Sequence, residues 1–195
     1  MTRRRWATAL TAVGVVALSV AVWRRLLSTP GDPLPVVLGA VLVIVVVVGV
    51  IARAARRDDV ARRAAAADRP GWSTWAVWSD AALGVELRRQ GWHVERLRPG
   101  GGSRLTLAWS AAGVELWRGG DVLVELPWDD VAAVTVATGN AAGAVRAAVC
   151  LSGSGDSRLV LVPAARPTGG LAPAGPRVVA GLVARLRAVR DLARG

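Results

Sequence analysis

The 195-residue sequence predicts an α+β membrane protein: a two-helix transmembrane hairpin, then an antiparallel β-barrel or sandwich capped by a C-terminal amphipathic helix. Three observations lead there. Two uncharged apolar runs near the N-terminus are each close to the length that crosses a bilayer. From Arg104 onward, apolar residues recur at every second position in short runs separated by turn residues. The final segment changes to helical spacing.

The first run, Trp6–Trp23, has 18 residues and the second, Leu34–Ala52, has 19, both without a charge. A spanning helix needs about 20 residues at a 1.5 Å rise, and flanking anchors make up small shortfalls. Trp6 and Trp23 stand at the two ends of the first run, where indoles favour the interface. A buried core helix would keep a polar face over such a length, and neither run has one. A cleavable signal peptide competes for the first run, with MTRRR as its basic start and Ser19-Val20-Ala21 before the cut. The length of the run and the second span close behind it favour retention. Arg3, Arg4 and Arg5 precede the first span, and Arg53, Arg56, Arg57, Arg62 and Arg63 follow the second. The positive-inside rule then places both termini in the cytoplasm and residues 1–52 in the inner (plasma) membrane, with Arg24 and Arg25 in the outer turn as the discordant pair.

Residues 53–71 read as a basic helical stalk or linker, because Ala and Arg favour helix and Asp68-Arg69-Pro70-Gly71 stops it. Arg53, Arg56, Arg57, Arg62 and Arg63 are candidate contacts to anionic headgroups, at about 1 kcal/mol each. Trp72 and Trp75, with Trp78 beyond them, are candidates for indoles resting on the bilayer surface. A solvated charged stalk and core packing of the indoles are the competing readings.

Residues 72–195 form the cytosolic domain, with its core over about 104–193. Ser79 and Asp80 are N-cap types and Gly91 a C′ type, so Ala81–Gln90 reads as a short helix and Trp92–Leu97 as a strand. Leu105, Leu107 and Trp109 share one face of the first alternating run. Val114–Trp117, Val122–Leu126, Val134–Ala137, Val145–Leu151 and Leu159–Leu161 follow, with breaks at Gly119-Gly120, Gly139-Asn140 and Ser152–Asp156. Six such runs describe an antiparallel meander. Val145, Ala147, Val149 and Leu151 make one inner face. After Pro176, Val178, Val179, Leu182, Val183, Leu186, Val189 and Leu192 recur at helical spacing, and the arginines, Arg187 among them, fall largely on the other side. The letters GVEL occur twice, at Gly84–Leu87 and Gly113–Leu116; their surroundings make the first helical and the second extended.

Composition is poor in catalytic material. All 25 basic residues are Arg and all nine aromatics are Trp, a bias that follows GC-rich coding, so the net charge of +11 is weak evidence for nucleic acid. Residues 1–69 hold 11 Arg against four acids and residues 70–195 hold 14 against 10, so the excess sits beside the apolar runs. Cys150 is the single cysteine and His93 the single histidine, which removes disulfide frameworks, most metal sites and histidine triads. Asp129 and Asp130 are adjacent carboxylates, but neighbours in extended chain point to opposite faces, and after Pro127 they read as a turn-capping corner. Cys150 reads as a small packing residue. The SGSGD stretch lacks a nucleophile elbow, and Pro99–Ser103 lacks the Lys of a phosphate loop.

Gly113-Val-Glu-Leu, the corner Leu126-Pro-Trp-Asp-Asp-Val131 with Val134, and the amphipathic helix from Arg177 together resemble the bacterial pleckstrin-homology-like (PH-like) domains. The nearest likeness is to those of small actinobacterial membrane proteins with two transmembrane helices. The resemblance covers about Arg104–Ala193 and leaves residues 72–97 outside. It implies a bent, nearly closed barrel of about seven strands plugged by the helix, with no catalysis, and the residues themselves suggest no cofactor or metal. The first hairpin loop, Ser110–Gly113, holds no cation, so phosphoinositide binding is not carried over. The expected function is non-catalytic: a domain displayed at the membrane for protein interaction or self-association, without nucleic acid or small-molecule substrate. The alternative is a peripheral anionic-lipid sensor using the basic stalk and the Trp cluster.

Overall fold

A computed structural model describes residues 34–92, 97, 100–153, 157–169 and 172–195. The first apolar run, His93 and most of the strand expected over Trp92–Leu97 lie outside these residues. The chain divides into two compact units, Met1–Arg53 and Ala54–Gly195.

Helix α1 (Leu34–Asp68) continues unbroken from the second apolar run through the arginine-rich segment. Among the described residues no helix is long and apolar enough to cross a membrane. The side chains at 34–37, 40, 50 and 51 belong to the apolar run but not to the described set, so the transmembrane hairpin rests on the sequence.

The second unit is built on one curled antiparallel sheet. Its strands are β1 (Ser73–Ser79), β2 (Arg104–Ser110), β3 (Gly113–Arg118), β4 (Asp121–Pro127), β5 (Val131–Ala141), β6 (Ala144–Gly153) and β7 (Arg158–Pro163), in the order β4-β3-β2-β1-β7-β6-β5. Two further helices complete it, α2 (Leu83–Arg89) and α3 (Pro176–Arg194). This curled half-barrel with a C-terminal helix is compatible with a PH-like fold.

The six alternating runs correspond to β2–β7. The strand that joins the two halves of the sheet, β1, comes from the stretch left outside the pattern. Its middle pairs with β2 over Ser73–Trp78 and its end with β7 over Val77–Ser79. Gly139-Asn140 does not end β5, which continues to Ala141 and turns at Ala142-Gly143, both at positive φ. The expected inner face of β6 is inside only in part. Val149 and Leu151 are buried, whereas Val145 lies near the open tip of the hairpin and is 69% exposed.

The short helix forms where expected. Gly91 adopts φ +82°, its N–H donates to Arg88 O, and the Trp92 N–H donates to Leu87 O, a Schellman ending that only a left-handed residue allows. Its start differs. Ala82 holds the cap position without a side-chain cap; the Asp80 carboxylate accepts the Ala82 N–H at 2.8 Å and also the Asn140 N–H. Ser79 stays in β1, and its hydroxyl accepts the Ser103 N–H.

Leu105, Leu107, Trp109, Val114, Leu116, Val134, Val149, Leu151, Leu159 and Leu161 fill the interior. Helix α3 closes it with Val179, Leu182, Val183 and Leu186, all buried. Four such side chains contribute roughly 6–12 kcal/mol gross at about 1.5–3 kcal/mol each, which is why the helix stays on the sheet. Val178 and Leu192, read as part of the same stripe, are exposed.

Candidate functional site

The stalk residues do not act as one set. At 100° per residue, Arg62 and Ala65 project to one side of α1 and Arg53 and Arg56 to the opposite side. Ala65 is fully buried against Ala108 and Trp117 on the outer face of the sheet, with Trp72 and Val122 packed around them. Arg62 is half-buried and, together with exposed Arg63, pairs with Asp59. Hydrogen bonding from Arg63 leads the effects that hold the Asp59 carboxyl below its ordinary range, and this internal pairing offsets much of the charge those arginines would offer to a headgroup. Arg53 and Arg56 are exposed; the side chain of Arg57 is outside the described residues.

The tryptophans separate as well. Trp75 is a core residue, 7% exposed, and its indole N–H donates to Ala164 O at 2.9 Å. Of the two readings of the indoles, core packing holds for Trp75, because the period of β1 turns Trp75 and Val77 inward. Trp72 is half-buried, with the Arg69 guanidinium 6.0 Å from its ring centre, at the limit of a cation–π contact. Trp78, on the other face of β1, is half-buried.

The junction between stalk and sheet is held by residues that sequence reasoning passed over. Glu115 points outward from β3 yet is buried. Its two oxygens have different partners: Oε1 accepts from Arg69 Nε at 3.0 Å, and Oε2 accepts from Trp117 Nε1 at 2.7 Å. Arg69 also reaches Glu125 at 3.8 Å. The hydrogen bond to Glu115, then its charge, hold Arg69 above the ordinary guanidinium range. Residue 69 was legible only as a helix stop; in the fold it is the bolt between α1 and β3.

The Pro-Trp-Asp-Asp stretch is a corner. Trp128–Asp130 forms one 3-10 turn between β4 and β5, with Trp128 buried and donating to Ser110 O at 2.7 Å. Asp129 and Asp130 are exposed, and no side chain caps the turn, so the expected capping role is corrected to a plain polar corner. The corner is latched by backbone instead: Arg194 Nη2 donates to Trp128 O and Asp129 O. Arg190 donates to Ala132 O at 3.1 Å and Arg187 Nε to Val134 O at 2.6 Å. Arg187 and Arg190 of α3 thus occupy carbonyls along β5, an edge strand, while Arg194 holds the corner that leads into it. The far end of β5 at Asn140 is taken by Asp80 and the Ala81 N–H. Edges covered this way resist strand addition.

Cys150 is buried and lies 3.7 Å from the Ser152 hydroxyl. Among the described residues there is no cluster of three or more His, Cys, Asp or Glu that would hold a metal ion. Neither a family model nor a curated protein matches the chain.

Proposed function

We propose that the chain is a non-catalytic integral membrane protein that displays a cytosolic PH-like domain for protein contact or self-association, of the kind found behind two transmembrane helices in small actinobacterial proteins. Both termini are cytoplasmic in this reading, and the lipid bilayer is its first partner.

One observation carries the membrane part. Leu38, Val41, Leu42, Val43, Ile44, Val45, Val47 and Val48 of α1 are all exposed, and at 100° per residue they spread around most of the helix. Water penalises such a surface at about 25 cal/mol per Å², whereas hydrocarbon does not. The bolt at Arg69, Glu115 and Trp117 supports the display part, because it ties the sheet to the last turn of the stalk within Ala54–Gly195. The lipid-sensor alternative keeps Arg53 and Arg56 as exposed cations but has lost Trp75 to the core.

The test is a pair of reporters on Gly195 together with a crosslinker on the domain surface. A cytosol-active fluorescent protein should fluoresce, a periplasm-active phosphatase should stay inactive, the chain should resist alkaline extraction from membranes, and crosslinks to protein should form. Extraction into the soluble fraction, or phosphatase activity, overturns the topology. Crosslinks to lipid alone transfer the case to the lipid sensor.

A further inference from the structure

A groove of about 450 Å³ opens beside α3. Its floor is Trp75 and Trp109; Ser73 and Thr74 form one side, Pro167 the lip, and Arg185, Ala188 and Val189 of α3 the other wall. The lining is mainly apolar and contains one charge, the Arg185 guanidinium, which has no carboxylate partner among the described residues. No acid lines the groove, so an anion is the complementary group.

The backbone on one side narrows the class of occupant. Strand β7 pairs with β1 only over Val77–Ser79. The following loop takes Ala76 through Ala164 N and Pro167 O, then turns away where Gly169 N donates to Arg166 O. Alternate residues of a strand present their N–H and C=O to the same edge. Thr74 therefore faces the groove from an edge without a strand partner among the described residues. An open strand edge selects peptide over an acyl chain, because only peptide supplies the matching donors and acceptors.

We infer that this groove binds an extended peptide segment bearing an aliphatic side chain next to a carboxylate: backbone against Thr74, apolar side chain on the two indoles, carboxylate on Arg185. The inference rests on the protein-contact reading and names the partner chemistry for it.

The probe is a displayed random heptapeptide library panned against the full chain in zwitterionic detergent. Enriched peptides should share an aliphatic residue beside Asp, Glu or a free C-terminus. Their affinity should fall about tenfold or more with Arg185→Glu, a loss typical of one charge-assisted contact. Filling the groove with Ala188→Trp should abolish binding, and Arg146→Glu, on the distant β5–β6 hairpin, should leave it unchanged. Arg185 is exposed, so its variant keeps the fold and decides the matter even where Ala188→Trp does not fold. No enrichment, or enriched peptides indifferent to Arg185→Glu, overturns the groove assignment. Arg185-dependent binding to phosphatidylglycerol vesicles without peptide enrichment also overturns it. If in-cell protein crosslinks persist in Arg185→Glu, the protein-contact reading stands and the groove alone falls.

Discussion

Replacing Glu115 with Leu should loosen the attachment of the stalk by a magnitude that follows from its two hydrogen bonds. Trp117 is 2% exposed, so its indole N–H has no water to replace Glu115 Oε2, and an unsatisfied buried donor costs about 1–3 kcal/mol. The Arg69 side chain is 39% exposed, so solvent takes over most of its interaction and the ion pair adds little. The change should therefore cost roughly 1–3 kcal/mol, or about 2–12 °C in melting temperature for a protein of this size. Thermal unfolding of the Ala54–Gly195 unit, which contains both partners, reads the shift. Glu115→Gln should fall between wild type and Leu, because one amide oxygen cannot accept both bonds. A double variant with Trp117→Phe should cost less than the two single changes combined, since neither partner is then left unsatisfied. Melting of Glu115→Leu within about 1 °C of wild type, or strict additivity in the pair, would refute the buried bridge.

Leu186→Asp should unfold or aggregate the same unit, since a carboxylate among the buried residues of α3 has no partner and costs several kcal/mol, whereas Arg185→Asp on the exposed face should melt normally. Arg187→Ala should lower stability by about 1–3 kcal/mol through loss of its bond to Val134 O, contrary to the harmless role that its place on the polar side of the helix suggests; calorimetry distinguishes the two. Asp129→Asn and Asp130→Asn should each shift stability by less than about 0.5 kcal/mol, as exposed positions do; loss of a function at unchanged melting temperature would contradict the corner reading. Asp59 has a lowered pKa when folded, so its contribution is present above about pH 4 and lost as pH falls through the folded value. Helical circular dichroism should show this small acid-side loss, and Asp59→Asn should remove it.

Much of the β architecture was legible because its residues interact at short range. Alternation placed Leu105, Leu107 and Trp109 on one face, Gly119-Gly120 closed a hairpin, and Gly91 ended a helix through its own positive φ. Even the two GVEL copies separated correctly. The first follows a capping region and is helical in α2; the second stands between turns and is extended in β3. Strand β1 was missed although Trp75 and Val77 alternate, because its role as the link between the two halves of the sheet depends on β2 and β7, which arrive later in the chain.

The sequence by itself determined which residues share a face, where the chain turns and which segments are too apolar for water, since each depends on neighbours within a few positions. Tertiary structure decided what lies against those faces. Period two sends Glu115 and Trp117 outward from β3, where water would be expected, but the end of α1 covers them and turns a surface glutamate into a buried bridge. Helical spacing likewise sends Arg187, Arg190 and Arg194 to the polar side of α3, and only the nearness of edge strand β5 and of the corner before it gives them carbonyls to hold. Facing is a local property of the backbone, whereas burial depends on which distant segment comes to rest there.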